Sequence, residues 1–380
     1  MERKLASIQR VKEILHIEGA DAIEIAVINS WKVVTKKGEY SPGDLCIYCE
    51  IDSFLPVRDD LEFLRKSSYK KMGDLEGFRL KTIRLRGQIS QGLILPLHVL
   101  EDDGEMKIGT SKQPWGDQLQ LGPYDNALVI EEGTDVTGIL GVVKYEPPIP
   151  AELSGKVKGF FPGFIRKTDE ERIQNMTKEF DNMKSQKYYV TEKLDGSSAT
   201  YYFRDGVFGV CSRNLELADP GEFQPGTVLC EDGVERPKKE NTFWKIAREF
   251  FIAEKLGTQN QNYAIQGELI GEGIQGNPYR IKGHKVMIFN VFNIDEQEYL
   301  GLDEMRDFLD KINVDGNPLE LVPIISEDYQ LPETIDEILN QAEGKSILNN
   351  QTEREGIVIR NRNKTVSFKA ISNNFLLKEK

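Results

Sequence analysis

A lysine near the middle of the chain has the setting of a nucleophile. Residues 188–200 read Tyr-Tyr-Val-Thr-Glu-Lys-Leu-Asp-Gly-Ser-Ser-Ala-Thr, which places Lys193 between an apolar strand and a tight turn at Asp195-Gly196. A lysine in that position cannot extend its amine into water as surface lysines do. The amine can instead be held beside a bound substrate and attack it. Because Asp-Gly turns are common in hairpins, this run taken alone favours an ordinary surface turn.

Companion motifs follow Lys193 and change that balance. They are Cys-Ser-Arg-Asn at 211–214, Gln-Gly-Glu-Leu-Ile-Gly-Glu-Gly at 266–273, Phe-Asn-Val-Phe-Asn-Ile at 289–294, Glu-Gly-Ile-Val-Ile-Arg at 355–360 and Ser-Phe-Lys-Ala at 367–370. Together with Lys-x-Asp-Gly, they resemble the ordered motifs of polynucleotide ligases and mRNA capping enzymes. In that superfamily the lysine attacks the α-phosphate of a nucleotide and forms a phosphoramidate.

The residues before these motifs predict a small β-barrel. A hairpin is expected over 22–35, turned at Asn29-Ser30, followed by strands over 45–51 and 78–86. The apolar positions of the last strand change phase by one residue, which suggests a β-bulge that helps a short sheet curl. Short strands of this kind fit a barrel of OB type, a fold that commonly binds nucleic acid, although a purely structural barrel is an alternative.

The remaining patterns complete an α+β fold class. Proline and glycine predict an extended linker over 146–163, without helix or strand. Thr168 to Glu171 has the pattern of a capping box that opens a helix to about Met183. Further helices are predicted near 242–256, 302–312 and 333–342. The predicted domains are therefore an OB-type barrel at 1–145, the linker, and an α+β nucleotidyltransferase domain built on antiparallel sheets at 164–380.

The order of these domains narrows the resemblance. DNA ligases and capping enzymes usually place the OB domain last, but only about a dozen residues follow Lys369, too few for a domain. The chain, including the stretch 81–92, resembles the ATP-dependent, nick-sealing RNA ligases whose OB domain comes first.

The resemblance implies roles for the acidic and basic motif residues. Lys193 would carry AMP derived from ATP, and Asp195 and Glu355 would hold Mg²⁺ or Mn²⁺ through its water shell. Lys369 would neutralise the phosphates, and together with the metal it would lower the pKa of Lys193.

Other motif residues are expected to recognise the nucleotide. Glu268 resembles the acceptor of the ribose hydroxyls, and Phe289 resembles the ring that stacks on adenine, while Phe292 is the predicted core aromatic. Glu192 could contact the adenine edge. Arg213 resembles a contact to the ribose and to the RNA end.

One feature departs from the motifs of the family, and the role of two further residues has two interpretations. The family usually has a second lysine close to Lys369, but Ser367 and Ile371 flank it here, so Lys378 replaces that lysine or it is absent. Arg172 and Gln174, in the predicted capped helix, are assigned equally to an RNA contact and to a solvated face.

Charge and composition bound the partners. The net charge of −13 argues against a generally basic coat for nucleic acid. A local basic run lies in the barrel and predicts a surface for RNA phosphates, with a solvated hairpin as the alternative. Its members are Arg65, Lys66, Lys70, Lys71, Arg79, Lys81, Arg84 and Arg86.

The cysteines and the apolar runs indicate the cellular compartment. Cys46 and Cys49 form a Cys-x-x-Cys without a second close pair, so they and Cys211 and Cys230 are interpreted as buried or incidental thiols rather than a zinc site. No apolar run approaches the length of a membrane span, and no signal-peptide core follows Met1. A cytoplasmic protein is expected, or a nuclear one in a eukaryote, neither secreted nor bound to a membrane.

These patterns predict a monomeric ATP-dependent RNA ligase that joins 3′-hydroxyl and 5′-phosphate RNA ends. It would act through lysyl-AMP and RNA-adenylate intermediates on a nicked duplex, with an RNA–DNA hybrid as a possible form. The alternatives are a capping-type guanylyltransferase, a DNA ligase, and a non-catalytic OB-type RNA-binding protein.

Overall fold

The chain divides into two compact units that are not consecutive in sequence. The computed structural model describes residues 4–100, 106–107, 117–121, 126–146, 157–221, 226–229, 235–237, 241–313, 316–362 and 365–378. The first unit contains residues 1–148, 173–180 and 376–380, and the second contains 149–172 and 181–375. The predicted boundary near 145–164 therefore omits two short segments that group with the first unit.

The first unit is built mainly from short strands. In chain order they are β1 (Ala6–Leu15), β2 (Ile23–Ile28), β3 (Trp31–Lys36), β4 (Leu45–Cys49), β5 (Ser53–Pro56), β6 (Tyr69–Met72), β7 (Leu75–Arg79), β8 (Ile83–Leu85), β9 (Gln88–Ser90), β10 (Leu93–Leu95), β11 (Met106–Lys107), β12 (Asp117–Leu121), β13 (Asn126–Ile130) and β14 (Val143–Lys144). A 3-10 turn at Asp59–Leu64 leads into the short helix α1 (Arg65–Ser68), and another lies at Leu97–Leu100.

These strands form the predicted OB-type barrel. One sheet has the order β10-β4-β1-β2-β3, and its edge strands β10 and β3 approach each other, so that it forms a nearly closed barrel. A second sheet has the order β14-β5-β7-β6. The predicted hairpin over 22–35 is confirmed, and Asn29 takes the positive φ of 55° that its tight turn requires. Ile8, Ile47 and Phe78 are fully buried in the core of this unit.

The prediction of one bulged strand over 78–86 is wrong. Strand β7 ends at Arg79, although the backbone of Leu80 still exchanges hydrogen bonds with Asp52 and Ser53. The chain then leaves that sheet and forms a separate hairpin of β8 and β9. The phase change of the apolar residues marks this departure rather than a bulge.

The remaining elements complete the second unit. The strands are β15 (Val157–Phe160), β16 (Glu171–Arg172), β17 (Tyr188–Lys193), β18 (Ser197–Arg204), β19 (Val207–Cys211), β20 (Leu215–Leu217), β21 (Thr227–Leu229), β22 (Glu235–Pro237), β23 (Tyr263–Gly271), β24 (His284–Asn293), β25 (Glu298–Tyr299), β26 (Glu320–Leu321), β27 (Ile324–Tyr329), β28 (Gly356–Asn361) and β29 (Ser367–Ile371). The helices are α2 (Phe180–Met183), α3 (Thr242–Glu249), α4 (Ile252–Gly257), α5 (Leu302–Ile312), α6 (Ile335–Ala342) and α7 (Asn373–Leu376).

Two sheets organise this unit. One has the order β15-β20-β19-β18-β23-β24-β25, and the other has the order β16-β29-β28-β17-β27. Pairing is antiparallel as predicted, apart from the short parallel pairs β16–β29 and β24–β26. Helices α3, α4 and α5 bury their apolar faces in the same core as β18, β23 and β24. The motif-bearing strands β17, β23, β24, β28 and β29 are therefore held by continuous pairing.

The predicted helices are confirmed after residue 240. Helix α5 covers the expected range, and α6 begins after Thr334, whose hydroxyl accepts a hydrogen bond from the Glu337 backbone N–H. The helix predicted over 242–256 is divided into α3 and α4, because Phe251 between them adopts the left-handed conformation with φ of 52°.

The capped helix predicted from Thr168 to Met183 is wrong. Glu171–Arg172 pairs with β29, Ile173–Asn175 forms a 3-10 turn, and helical residues begin only at Phe180. Pairing with β29 overrides the local capping signal. In the predicted linker, Val157–Phe160 is a strand paired with β20, so the expectation of no strand there is wrong. Residues 147–156 of that linker lie outside the described residues.

Three cysteines match their interpretation as buried thiols. Cys46, Cys49 and Cys211 are free and buried, and burial raises the pKa of each thiol. Cys230 lies outside the described residues. Across the helices that the structure describes, none is long and apolar enough to span a lipid bilayer.

Candidate active site

A cavity in the second unit collects most of the predicted site residues. It is lined by Glu192, Lys193, Arg213, Glu268, Phe289 and Lys369. Asp195 and Glu355 do not line the cavity but act on Lys193 from beside it. Residues more than 170 positions apart in the sequence are thus brought to one pocket by the pairing of β17 with β28 and of β28 with β29.

Lys193 ends strand β17 opposite Gly356 of β28. Its Nζ donates a hydrogen bond to Glu355 Oε1 at 2.6 Å, and the lysine side chain is 27% exposed. The turn that follows requires glycine, because a Cβ on Gly196 would lie 2.4 Å from the backbone oxygen of Leu269 in β23. The Asp-Gly pair therefore serves to bring the turn against β23 and to leave the lysine amine at the cavity.

The charges around Lys193 oppose the predicted effect on its pKa. Burial lowers the pKa of Lys193, but the negative charges of Glu355, Glu268 and Asp195 outweigh burial, so the net shift is upward. The predicted lowering by Lys369 does not occur in the chain alone, where the Lys369 amine is bonded to Asp169. The lowering by a bound metal stays a prediction. The amine is protonated at neutral pH until other positive charge enters the site.

Glu268 faces the same cluster from β23. The pKa of Glu268 is raised to about 8, mainly by burial, which Glu355 and Asp195 reinforce and which Lys193 and Arg213 oppose. Carboxylate oxygens are the ligands that Mg²⁺ prefers, so this set of donors suits a divalent cation. Among the described residues, no three of the types His, Cys, Asp and Glu are grouped closely enough to hold a metal ion by themselves. A cation bound here would keep several of its waters.

Phe289 reaches the cavity through an irregularity in β24. The pairing with β23 passes from Gln266 opposite Asn290 directly to Gly267 opposite Ile288, which leaves Phe289 as the extra residue of a β-bulge. A bulge turns a side chain out of the regular alternation of the strand. Phe289 is consequently half-buried at the cavity, whereas Phe292 is fully buried in the core, as predicted.

Glu192 has one satisfied and one unsatisfied carboxylate oxygen. Oε2 accepts a hydrogen bond from the Ile347 backbone N–H at 2.8 Å. Oε1 is buried and has no hydrogen-bond partner within the described part of the chain. Burial raises the pKa of Glu192, opposed by hydrogen bonds from Ser346 and Ile347. The free oxygen is an acceptor available to a ligand in the cavity.

Asp169 is a site residue that sequence reasoning missed. Its Oδ1 accepts a hydrogen bond from Lys369 Nζ at 3.0 Å, and its Oδ2 lies 3.4 Å from an Arg213 nitrogen. The neighbouring Glu170 pairs with Arg360 at 2.9 Å. The capping-box pattern assigned these carboxylates to a helix N-terminus, and the sequence carries no signal that distinguishes the two roles.

The residues near the second-lysine position differ from the family pattern in structure as well. Ile371 is buried, with 4% of its surface exposed, at the end of β29. Lys378 is exposed and belongs to the first unit, so its role stays a prediction. Arg172 and Gln174 are both buried, so the solvated-face alternative for them is wrong.

Comparisons with known proteins identify relatives that share this fold. A family profile described as RNA ligase matches residues 186–375, and a profile described as OB-fold domain matches residues 5–97. No curated protein matches the chain significantly.

Solved structures of a Naegleria gruberi RNA ligase resemble the whole chain. The form with pyrophosphate is 40% identical, with a TM-score of 0.81 over 100% of this chain and 99% of that one. A mutant with ATP and Mn is 39% identical, with a TM-score of 0.80 over 99% of each chain. A mutant with AMP and Mn is 38% identical, with a TM-score of 0.81 over 99% of each chain.

An OB-fold domain followed by a sheet-rich domain with this cavity defines a polynucleotide ligase. The chain belongs to the RNA ligase family.

Proposed function

We propose that the protein is an ATP-dependent RNA ligase that uses Lys193 to carry AMP. The observation that carries the proposal is that Lys193 lines one cavity together with a half-buried aromatic ring, Phe289, and two cations, Lys369 and Arg213. An adenosine triphosphate needs such a pocket, with a stacking surface for its base and positive charge for its phosphates. The Naegleria gruberi relative, solved with ATP, AMP and pyrophosphate, supports the same ligand.

The reaction would run in three balanced steps. The Lys193 amine, after losing a proton, attacks the α-phosphorus of ATP, and the bond to the β-phosphate oxygen breaks to release pyrophosphate. An oxygen of the RNA 5′-phosphate then attacks the AMP phosphorus, and the phosphorus–nitrogen bond breaks. In the last step the RNA 3′-hydroxyl attacks the 5′-phosphate and AMP leaves.

Divalent-cation chemistry belongs to this proposal. Mg²⁺ or Mn²⁺, when bound, would neutralise phosphate charge and lower the pKa of Lys193. Asp195 and Glu355 would hold the cation through its waters. Both carboxylates act on the lysine amine, so a cation near them would also lie near Lys193. Glu355 would also hold the lysine amine at 2.6 Å before ATP arrives.

Nucleotide recognition follows from the polar groups of the cavity. The unsatisfied Oε1 of Glu192 could accept a hydrogen bond from the adenine amino group, which guanine lacks at that position. Glu268 would accept from the ribose hydroxyls, and Phe289 would stack on the base. The triphosphate would replace Asp169 as the partner of Lys369 and Arg213, and the RNA end would share Arg213 later.

The proposed substrate is a nicked duplex with RNA at the 3′-hydroxyl side. Its support is the resemblance to nick-sealing ligases together with the OB-fold domain. We further propose that the enzyme acts as a monomer in the cytoplasm or a nucleus.

Covalent labelling tests the nucleotide and the nucleophile together. The protein is incubated with Mn²⁺ and labelled ATP, GTP or NAD, and mass spectrometry locates the adduct. We expect AMP from ATP on Lys193, no adduct in Lys193→Ala, and full labelling of the control Lys187→Ala, a mostly exposed lysine just before the same strand. An adduct on another residue, or labelling by GTP alone, would overturn the proposal.

Sealing assays test the substrate. Nicked duplexes are compared that carry either RNA or DNA at the 3′-hydroxyl end. A 2′-hydroxyl offers both a donor and an acceptor, so a protein can distinguish these ends. Equal sealing rates on the two duplexes would refute the RNA requirement.

A further inference from the structure

The turn after Lys193 is hydrogen-bonded to a tyrosine of a loop that is distant in the sequence. The loop over 272–283 joins β23 to β24. Within it, the Tyr279 hydroxyl accepts a hydrogen bond from the Asp195 backbone N–H at 2.6 Å. Tyr279 is 4% exposed, so water cannot easily replace this bond.

A second bond joins the same loop to the same turn. Gln275 Nε2 donates to the backbone oxygen of Gly196 at 3.3 Å, one residue beyond the tyrosine contact. The Tyr279 side chain also packs in an apolar cluster with Leu194, and Phe289 packs against that cluster. The loop therefore touches both the turn and the support of the aromatic ring that lines the cavity.

Another loop holds the residue on the other side of Lys193. The Ile347 backbone N–H donates to Glu192 Oε2 at 2.8 Å. Asn349 Nδ2 donates to the backbone oxygen of Pro278 at 2.8 Å, which ties this second loop to the residue before Tyr279. Each end of the segment 192–195 is thus hydrogen-bonded to one of two loops, and these loops are hydrogen-bonded to each other.

The loop over 272–283, which carries Tyr279, has an unusual backbone conformation. Gln275, Asn277 and Arg280 all have positive φ, of 45°, 51° and 55°. Such residues cost energy and persist only where surrounding contacts hold them. Here Asn277 exchanges two hydrogen bonds with Ile281, at 2.9 and 3.0 Å, which closes the loop around Tyr279.

We propose that Tyr279 is a positioning residue for AMP transfer to Lys193. Its hydroxyl fixes the Asp195 backbone, and with it the direction in which the lysine side chain leaves β17. In-line attack on phosphorus tolerates little misplacement, and an error of about 1 Å can cost about 100-fold in rate. The inference rests on the proposed function, because it assigns a role in the first step of that reaction.

The chain offers a matched control for removing the tyrosine hydroxyl. Tyr188 begins the same strand β17, is fully buried, and donates its hydroxyl to the Met183 backbone oxygen at 2.9 Å. Tyr279→Phe and Tyr188→Phe therefore remove the same hydroxyl from two buried side chains, one beside Lys193 and one at the far end of the strand. Thermal unfolding of both variants shows whether each is folded at the assay temperature.

Three measurements separate positioning from general damage. They are the single-turnover rate of AMP labelling at saturating ATP, the ATP concentration for half-maximal rate, and sealing of RNA that already carries a 5′-adenylate. For Tyr279→Phe we expect labelling about 10- to 100-fold slower, with the half-saturating ATP concentration and adenylated-RNA sealing within about twofold of wild type. Tyr188→Phe should match wild type in all three.

A milder variant keeps the inference testable if Tyr279→Phe unfolds. Gln275 is exposed, and Gln275→Asn shortens the side chain while retaining a residue that tolerates positive φ. It should slow labelling in the same direction by a smaller factor. Equal effects of the two tyrosine variants, an effect confined to ATP affinity, or an unchanged labelling rate would overturn the role of Tyr279. Wild-type protein that is not labelled on Lys193 would overturn the proposed function itself.

Discussion

At the scale of single residues, Glu268 shows how burial and charge oppose each other in the cavity. Burial raises the pKa of this carboxyl to about 8, from an ordinary value near 4.5. Between these two values the folded protein holds a proton that the unfolded chain has released. The free energy of unfolding must therefore fall as the pH rises through this window, and it levels off above about 8.

Replacing Glu268 with Gln removes that titration. Relative to wild type, Glu268→Gln should gain stability as the pH rises from about 5 to 8, because Gln cannot acquire the buried charge. Urea unfolding at several pH values measures the difference, with Glu272→Gln as the control at the exposed position directly after β23. A constant difference between Glu268→Gln and wild type across this range would contradict the raised pKa.

Sequence motifs located the reactive residues better than they predicted the charges on them. Lys193, Glu268 and Lys369 share one cavity because each motif ends or occupies a strand whose pairing brings it there. In the chain alone the pKa of Lys193 is raised, because its shift depends on which carboxylates surround the amine in space. Asp169 was missed for the same reason, because its partners Arg213 and Lys369 lie 44 and 200 positions away in the chain.

At the scale of elements, the bulge in β24 separates two phenylalanines that share one short motif. Phe289 is the unpaired residue at the cavity, and Phe292 is fully buried against Tyr299, with ring centroids 5.0 Å apart. The spacing of the motif could assign one ring to a ligand and one to the core. It could not show the bulge, because a single displaced residue depends on the register with β23.

The two phenylalanines should respond differently to truncation. Phe289→Ala should weaken ATP binding about tenfold or more, since stacking of a base on an aromatic ring contributes about 1–3 kcal/mol. Phe292→Ala should instead lower the free energy of unfolding by about 3–5 kcal/mol, as expected for a buried phenylalanine. Calorimetric ATP titration and denaturant unfolding of both variants provide the comparison. A larger stability loss in Phe289→Ala than in Phe292→Ala would show that the bulge residue belongs to the core.

At the scale of the whole molecule, the basic run of the barrel is only partly available to RNA. Arg65 pairs with Glu62, Lys71 pairs with Glu76 at 2.6 Å, and Arg79 lies 4.5 Å from the centre of the Tyr145 ring. Arg65 and Lys71 are exposed although they are paired, and the other exposed members are Lys66, Lys70, Arg84 and Arg86. Composition predicted the run, but only the fold shows which charges are already engaged.

Two double variants of equal charge test this surface. Changing Arg84 and Arg86 to Ala should weaken binding to nicked RNA and flatten the slope of log affinity against log salt by roughly one unit for each lost phosphate contact. AMP labelling should be unchanged, since every residue assigned to that step lies in the second unit. The control changes the exposed Lys36 and Lys37 of the same unit to Ala. Equal salt slopes in the two variants would exclude the β8–β9 hairpin as an RNA contact.

The two units of this molecule are interleaved along the gene. Asn175, encoded after the start of the second unit, accepts a hydrogen bond from Trp31 Nε1 at 2.6 Å and donates one to Glu50 at 2.6 Å inside the first. A single cut of the coding sequence near residue 148 therefore separates the barrel from residues 173–180. Trp31 and Glu50 then lose their hydrogen-bond partner Asn175. An exchange of barrels between related ligases would have to transplant residues 173–180 with the N-terminal segment, and modular evolution by simple fusion would meet the same constraint.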